Sequence, residues 1–257
     1  MVSFSNAQVI GVIPARLAST RLPRKVLREI VGKPLLAWVY EAAANAGTFD
    51  RLIVAADSDE VVELCRSGGW EVRMTAPELA SGTDRVHAIA QQLSAEKNVL
   101  LNPDAIFVNI QGDEPLLRAE HFQALLRPFA RPEVVVSTLR TPCSLEDVSN
   151  PNVVKVVVGH DDRALYFSRA PIPWDRNGKG DVVYWKHLGL YAYRKHILDG
   201  FPGLPASSLE LAERLEQLRL LENGIPIHVE PVEFDTIGVD TEADLERVTA
   251  LLSRGNL

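Results

Sequence analysis

The chain has 257 residues, 46% hydrophobic and 24% charged, which suits one large globular domain or a domain with an appended lobe. Lys and Arg number 27 against 34 Asp and Glu, a net charge of −7, which excludes a basic face suited to wrapping nucleic acid. No apolar run approaches the roughly 18 residues a membrane helix needs, and Val2 to Gln8 lacks the basic and apolar segments of a signal peptide.

In chain order, Val9, Ile10, Val12 and Ile13 around Gly11 predict a buried strand that Pro14 ends. The next stretch carries Arg16, Arg21, Arg24 and Lys25, with Ser19 and Thr20 among them. Cations this dense in an acidic chain, directly after the first buried strand, fall where α/β sheets bind ligands, outside the carboxyl ends of the strands. Guanidinium forks match phosphate oxygens and a lysine adds a mobile charge, so the segment reads as a polyphosphate cradle. Apolar spacing at Leu35, Leu36, Val39, Tyr40 and Ala43 predicts a helix closed by Gly47. Arg51 to Ala56 predicts a strand, Asp59 to Gly68 a helix and Trp70 to Met74 a strand, an alternation that argues for parallel βαβ units. Cys65 and Cys143, far apart in sequence, read as free thiols of a cytoplasmic protein, and six scattered histidines lack zinc spacing.

Ser81, Gly82, Thr83 and Asp84 predict a turn opening a helix that runs to about Leu93. Ser81 or Thr83 serves as its N-cap, and the same hydroxyls and N–H groups suit a nucleotide base or ribose. Asp104 to Ile110 predicts another buried strand, running into Gln111, Gly112, Asp113, Glu114 and Pro115. In a parallel sheet this acidic pair faces the same side as the basic loop. A carboxylate opposite a phosphate cradle suits Mg²⁺, which takes one or two carboxylates plus substrate oxygens. The alternative for Asp113 is to cap the helix near Glu120.

Glu133 to Leu139 predicts a further strand. Strands at Val153 to Val158 and Leu188 to Tyr193 then flank a Pro- and Gly-rich loop, Pro171 to Gly180. They predict a smaller, partly antiparallel lobe, about 141–224, inserted in a core of about 8–140 and 225–254. Arg169, His187, Tyr191 and Tyr193 fall in that lobe and suit either an acidic, hydroxyl-rich substrate or a dimer interface. Leu211, Leu215 and Leu218 predict one helix over Ser208 to Asn223, with Glu213, Glu216 and Gln217 off its apolar stripe. A last strand near Ile227 to Val232 leads to Asp240, either a helix N-terminal acid or a second metal ligand. Thr241 begins a closing helix with Leu245, Val248 and Leu252 inward. The expectation is a single α/β domain with a mainly parallel central sheet and a smaller antiparallel lobe.

The segments IPARLASTRLPRK, SGTDR, VNIQGDEP, NPNVVKVV, ALYFSRAPIPWDR, HLGLYAYR, LEQLR and GVDTEADLERV span about Val9 to Val248. In this order they resemble the 3-deoxy-manno-octulosonate (Kdo) cytidylyltransferase family. One position departs: Arg24 stands where close relatives carry glycine. The resemblance implies a Rossmann-like nucleotidyltransferase, homodimeric and Mg²⁺-dependent, converting CTP and Kdo to CMP-Kdo and diphosphate for lipopolysaccharide synthesis. It implies Arg16 and Lys25 on the CTP phosphates with Ser19 and Arg21 assisting, and Ser81 and Gly82 near cytosine or ribose. It further implies Asp113 and Asp240 on magnesium, and Gln111, Arg169, His187, Tyr191, Glu216 and Gln217 on the sugar acid, with Arg169 facing its carboxylate. The alternatives are a related acid sugar such as 8-amino-Kdo, and a nucleotide-binding regulator that kept the fold without turnover.

Overall fold

The computed structural model describes residues 7–19, 21–97, 101–178, 180 and 182–254, so Thr20 of the basic loop and Val2 to Asn6 lie outside it. Strand β1 (Val9–Ala15) is buried on both faces: Val9, Ile13 and Ala15 pack into one apolar cluster, Ile10 and Val12 into another. Burial on both sides is why its sequence is a near-continuous apolar run instead of an alternating one. The strand continues through Pro14, where an end was expected. The carbonyls of Gln8 and Val12 accept from Ile106 and Ile110, so Pro14, in phase with them, faces the same neighbour beyond the end of that ladder. Its missing N–H therefore leaves no bond unmade.

A 3₁₀ turn (Lys25–Leu27) and a small hairpin, β2 (Glu29–Ile30) and β3 (Lys33–Pro34), lead into helix α1 (Leu35–Asn45). β4 (Arg51–Ala56), α2 (Asp59–Ser67) and β5 (Glu71–Met74) follow within one residue of expectation. Next come α3 (Gly82–Ala95), β6 (Ile106–Asn109), α4 (Ala119–Leu126), β7 (Val136–Pro142), β8 (Lys155–Val158), β9 (Ala164–Ser168) and β10 (Trp185–Arg194). The chain closes with α5 (Lys195–Gly200), α6 (Ser208–Glu213), α7 (Gln217–Glu222), β11 (His228–Pro231) and α8 (Glu242–Ser253).

The sheet order is β11-β7-β10-β6-β1-β4-β5, with the β8–β9 hairpin attached off that path through β10. Every neighbour along the path is parallel except β10, which runs antiparallel to both β6 and β7. The strand assigned from sequence to the inserted lobe thus lies inside the main sheet. Its position in the chain suggested the lobe, but its partners come from β6 and β7, more than 40 residues earlier. Apolar residues of α1, α2, α4 and α8 cover one face of the sheet, and those of α3, α5 and α7 the other.

The single helix expected over Ser208 to Asn223 is two. Arg214 takes a left-handed conformation (φ 56°) that ends α6, and the chain turns before α7. Leu215 and Leu218 are buried while Leu211 is 62% exposed, so the leucines do not share one stripe. No helix among the described residues is long and apolar enough to cross a membrane.

Candidate active site

Because β1 and β6 are parallel neighbours, the loops leaving their carboxyl ends emerge side by side. Gly112 lets them close up, since a Cβ there would stand 2.6 Å from the Pro14 carbonyl oxygen. Across this contact Lys25 Nζ donates to Asp113 at 2.5 Å and to Asp240 at 2.9 Å, and Arg21 pairs with Asp240 at 2.9 Å. The Val239 N–H donates to the Asp113 carbonyl at 2.9 Å, which holds the segment before α8 against the turn after β6.

The side chains of Asp113 and Asp240 are not the caps of the helices that follow them. Helix α4 is capped at Arg118, whose N–H donates to the His121 ring, and Asp113 takes no part. Glu242 and Asp244 supply the acids of the first turn of α8, which frees the Asp240 side chain for Lys25 and Arg21. Burial by itself would lower the Lys25 ammonium, but Asp113 and Asp240 outweigh it and hold it above the usual lysine value. Burial likewise opposes ionisation of Asp240, and Lys25 and Arg21 reverse that, keeping the carboxyl below its ordinary range. Two carboxylates converging on one cation are hard oxygen donors that fit Mg²⁺. Among the described residues no cluster of three or more His, Cys, Asp or Glu stands ready for a metal, so the other ligands would be substrate oxygens and water.

Two cavities adjoin this point. The smaller, about 320 Å³, is lined by Ser19, Lys25 and Asp113 together with Arg16, Arg21, Gln111 and Asp240. The larger, about 730 Å³, shares Arg16, Arg21, Gly82, Gln111 and Asp240 with it and extends past Ser81 to His187, Tyr191, Glu216 and Gln217. Arg16 Nη1 donates to the Ala80 carbonyl at 2.9 Å, tying the basic loop to the turn before α3. Ser81 is the N-cap of α3 in a reciprocal capping box with Asp84. The His187 ring is buried against Phe167, with Nε2 3.0 Å from Thr138 Oγ1, and burial pushes its imidazole down to about 3. Burial also raises the Glu216 carboxyl, with the Thr83 and Ser81 hydroxyls pulling the other way.

Arg169 is the expected site residue that the structure does not bring to either cavity. Its Nε donates to the Glu213 carbonyl at 2.8 Å and its Nη1 to the Pro151 carbonyl at 2.9 Å. Conversely, Glu114 and Lys186 line the larger cavity although sequence reasoning assigns neither a site role, Glu114 entering only as half of the acidic pair. Glu114 Oε2 and the Tyr191 hydroxyl are closed to solvent, and burial pushes the Glu114 carboxyl up to about 7. Lys186 Nζ is held by Asp235 at 2.8 Å and by the Thr236 carbonyl at 3.0 Å. The available signal was adjacency: Glu114 follows Asp113 and Lys186 precedes His187.

The cytidylyltransferase family model matches residues 10–230. The chain is 53% identical over 255 residues to the 3-deoxy-manno-octulosonate cytidylyltransferase of Koribacter versatilis (strain Ellin345), covering 99% of this chain and 94% of that protein. It is 56% identical over 248 residues to the protein of the same name from Acidobacterium capsulatum, covering 96% and 98%. A solved structure of CMP:2-keto-3-deoxy-manno-octonic acid synthetase complexed with CTP superposes with a TM-score of 0.89 at 41% identity, covering 97% of this chain and 100% of that one.

Proposed function

This chain belongs to the cytidylyltransferase family, and from that premise we infer that it activates Kdo: CTP and 3-deoxy-manno-octulosonate yield CMP-Kdo and diphosphate. The observation that carries the reading is the meeting of Lys25, Asp113 and Asp240 between two adjoining cavities, one lined by cations and one by hydroxyl-binding groups. The anomeric hydroxyl of the sugar attacks the α-phosphorus in line with the departing diphosphate. Catalysis of this kind is mostly positioning and charge neutralisation and needs no protein nucleophile.

Arg16, Arg21 and Ser19 line the cradle in which the triphosphate lies, and Ser81 and Gly82 at the start of α3 face the nucleoside. Asp113 and Asp240 would hold Mg²⁺, which would supply polarisation of the phosphate and of the attacking hydroxyl. Lys25 lines the same cavity, where its charge offsets that developing on the leaving group. Gln111, His187, Tyr191, Glu216 and Gln217 bind the sugar acid. His187, kept neutral by burial, exchanges hydrogen bonds with sugar hydroxyls without competing for the anion.

The test is diphosphate release from CTP and Mg²⁺, with and without Kdo, by the wild type and by Asp113→Ala. Kdo-dependent release that falls by about 100-fold or more in the variant is expected from loss of a metal carboxylate. Release that needs 8-amino-Kdo would change the substrate and keep the mechanism. CTP binding without release by any acid sugar would leave a nucleotide-binding regulator.

A further inference from the structure

Two segments distant in sequence, Asn150 with 152–154 and 214–217, wall the larger cavity and have no part in the smaller one lined by Lys25. Behind them sits Lys155, the first residue of β8, with none of its surface exposed. Its ammonium donates to three main-chain carbonyls: Asn150 at 2.9 Å, Val153 at 2.6 Å and Arg169 at 2.7 Å. An ammonium has three protons to donate, so all are committed to backbone. Three dipoles aimed at one buried charge fix the backbone segments that carry them relative to one another.

Arg169 extends the same lattice. Its Nη1 donates to the Pro151 carbonyl and its Nε to the Glu213 carbonyl. The Glu213 carboxylate accepts in return from the Ser168 hydroxyl at 2.5 Å and from the Arg169 N–H at 2.9 Å. Glu213 is the last residue of α6, and the left-handed Arg214 directly after it swings Leu215, Glu216 and Gln217 to the cavity. The nucleotide half, built on β1 and on the N-terminus of α3, makes none of these bonds.

We propose that Lys155, Arg169 and Glu213 form a clasp that sets the spacing between the two walls of the sugar half, and that Lys155 and Glu213 are positioning residues for the sugar acid and not for the nucleotide. The proposal rests on the assignment of the sugar acid to this half of the cavity. In this arrangement Arg169 acts from behind the wall through the carbonyls it holds. A wall displaced by about 1 Å is enough to cost binding geometry without touching the phosphate cradle.

Steady-state kinetics of the full chain with CTP, Mg²⁺ and Kdo test this, using Lys155→Met, Glu213→Gln and the double variant. The expected result is a Kdo KM raised about tenfold, with CTP KM and kcat within about twofold of wild type. The double variant should be no worse than the more affected single one, because both residues act through one clasp. A purely structural role would instead lower the melting temperature and the active fraction and leave both KM values alone. An unchanged Kdo KM in the folded variants, or a CTP KM that rises in step, overturns the proposal. Should Lys155→Met fail to fold, Glu213→Gln decides alone, since that side chain is partly exposed and has less to unsettle. Tyr191→Phe separates the two levels: a raised Kdo KM there beside unchanged clasp variants removes the clasp only. A Kdo KM untouched by Tyr191→Phe removes the sugar assignment and the clasp with it.

Discussion

His187 shows how burial turns a titratable side chain into a fixed one. Its edge meets Phe167 with centroids 4.9 Å apart, and burial pushes the imidazole down to about 3. The unfolded chain protonates this ring near pH 6.5, whereas the folded chain does not until about 3. Between those limits the folded state binds fewer protons, so stability is fully present above about pH 6.5 and is lost as pH falls. One such group contributes a slope of about 1.4 kcal/mol per pH unit inside the window. His121 and His228, also lowered by burial, act in the same direction and remain in a His187 variant. Urea unfolding at pH 7, 6 and 5 should therefore give a flatter profile for His187→Gln than for wild type. Equal slopes would mean that the ring takes up its proton while folded.

At the scale of elements, the basic loop depends on one unusual backbone position. Arg24, the residue before the 3₁₀ turn, adopts a left-handed conformation with φ 56° and ψ 32°. A side chain in that region costs about 1–2 kcal/mol, while glycine adopts it freely. The glycine that the resemblance implies at this position would follow the same path without that cost. The ion pair that Arg24 makes with Glu60 is exposed and offsets little of this. Arg24→Gly should leave stability unchanged or raise it by up to about 1 kcal/mol, and Arg24→Val should lower it by about 1 kcal/mol or more. Urea midpoints rank the three proteins, and an Arg24→Gly midpoint below that of Arg24→Val would refute the strain. Lys25 follows directly, so the same turn decides whether its ammonium reaches Asp113 and Asp240.

For the whole molecule, the exposed apolar surface is unevenly placed. Among the described residues, six of the eight large exposed hydrophobics are Leu145, Leu165, Trp174, Val183, Leu209 and Leu211, all between β7 and α7. Leu165 lies on β9, whose ladder partner is β8 and whose first residue, Ala164, donates its N–H to the Ile227 carbonyl at 2.8 Å on the other side. Exposed apolar side chains gathered in one part of the chain offer a surface that a second copy can cover, as the homodimer implied by the resemblance would need. Sedimentation should show a dimer for the wild type and a monomer for Leu165→Lys/Leu211→Lys. The melting temperature of the isolated protomer should move little, because those side chains stand 65% and 62% exposed. A wild type that sediments as a monomer would sink the dimer.

What the sequence determined by itself was whatever is encoded locally. Apolar runs located β1, β4, β5 and β6, the alternation of strand and helix located α2, Ser and Thr caps located α3 and α8, and the order of strand and loop placed the basic and acidic turns on one side of the sheet. Only the tertiary structure decided the rest. Strand β10 carries no mark of its neighbours, because pairing between β6 and β7 is selected by contacts with segments far along the chain. The break at Arg214 opposes a good helical pattern and is held by packing of Leu215 and by the bonds of Glu213 to β9. Arg169 chose backbone carbonyls over the cavity, and Glu114 and Lys186 entered it, for the same reason. Where a long side chain ends depends on which buried partners the fold brings within its reach, and no local pattern records that.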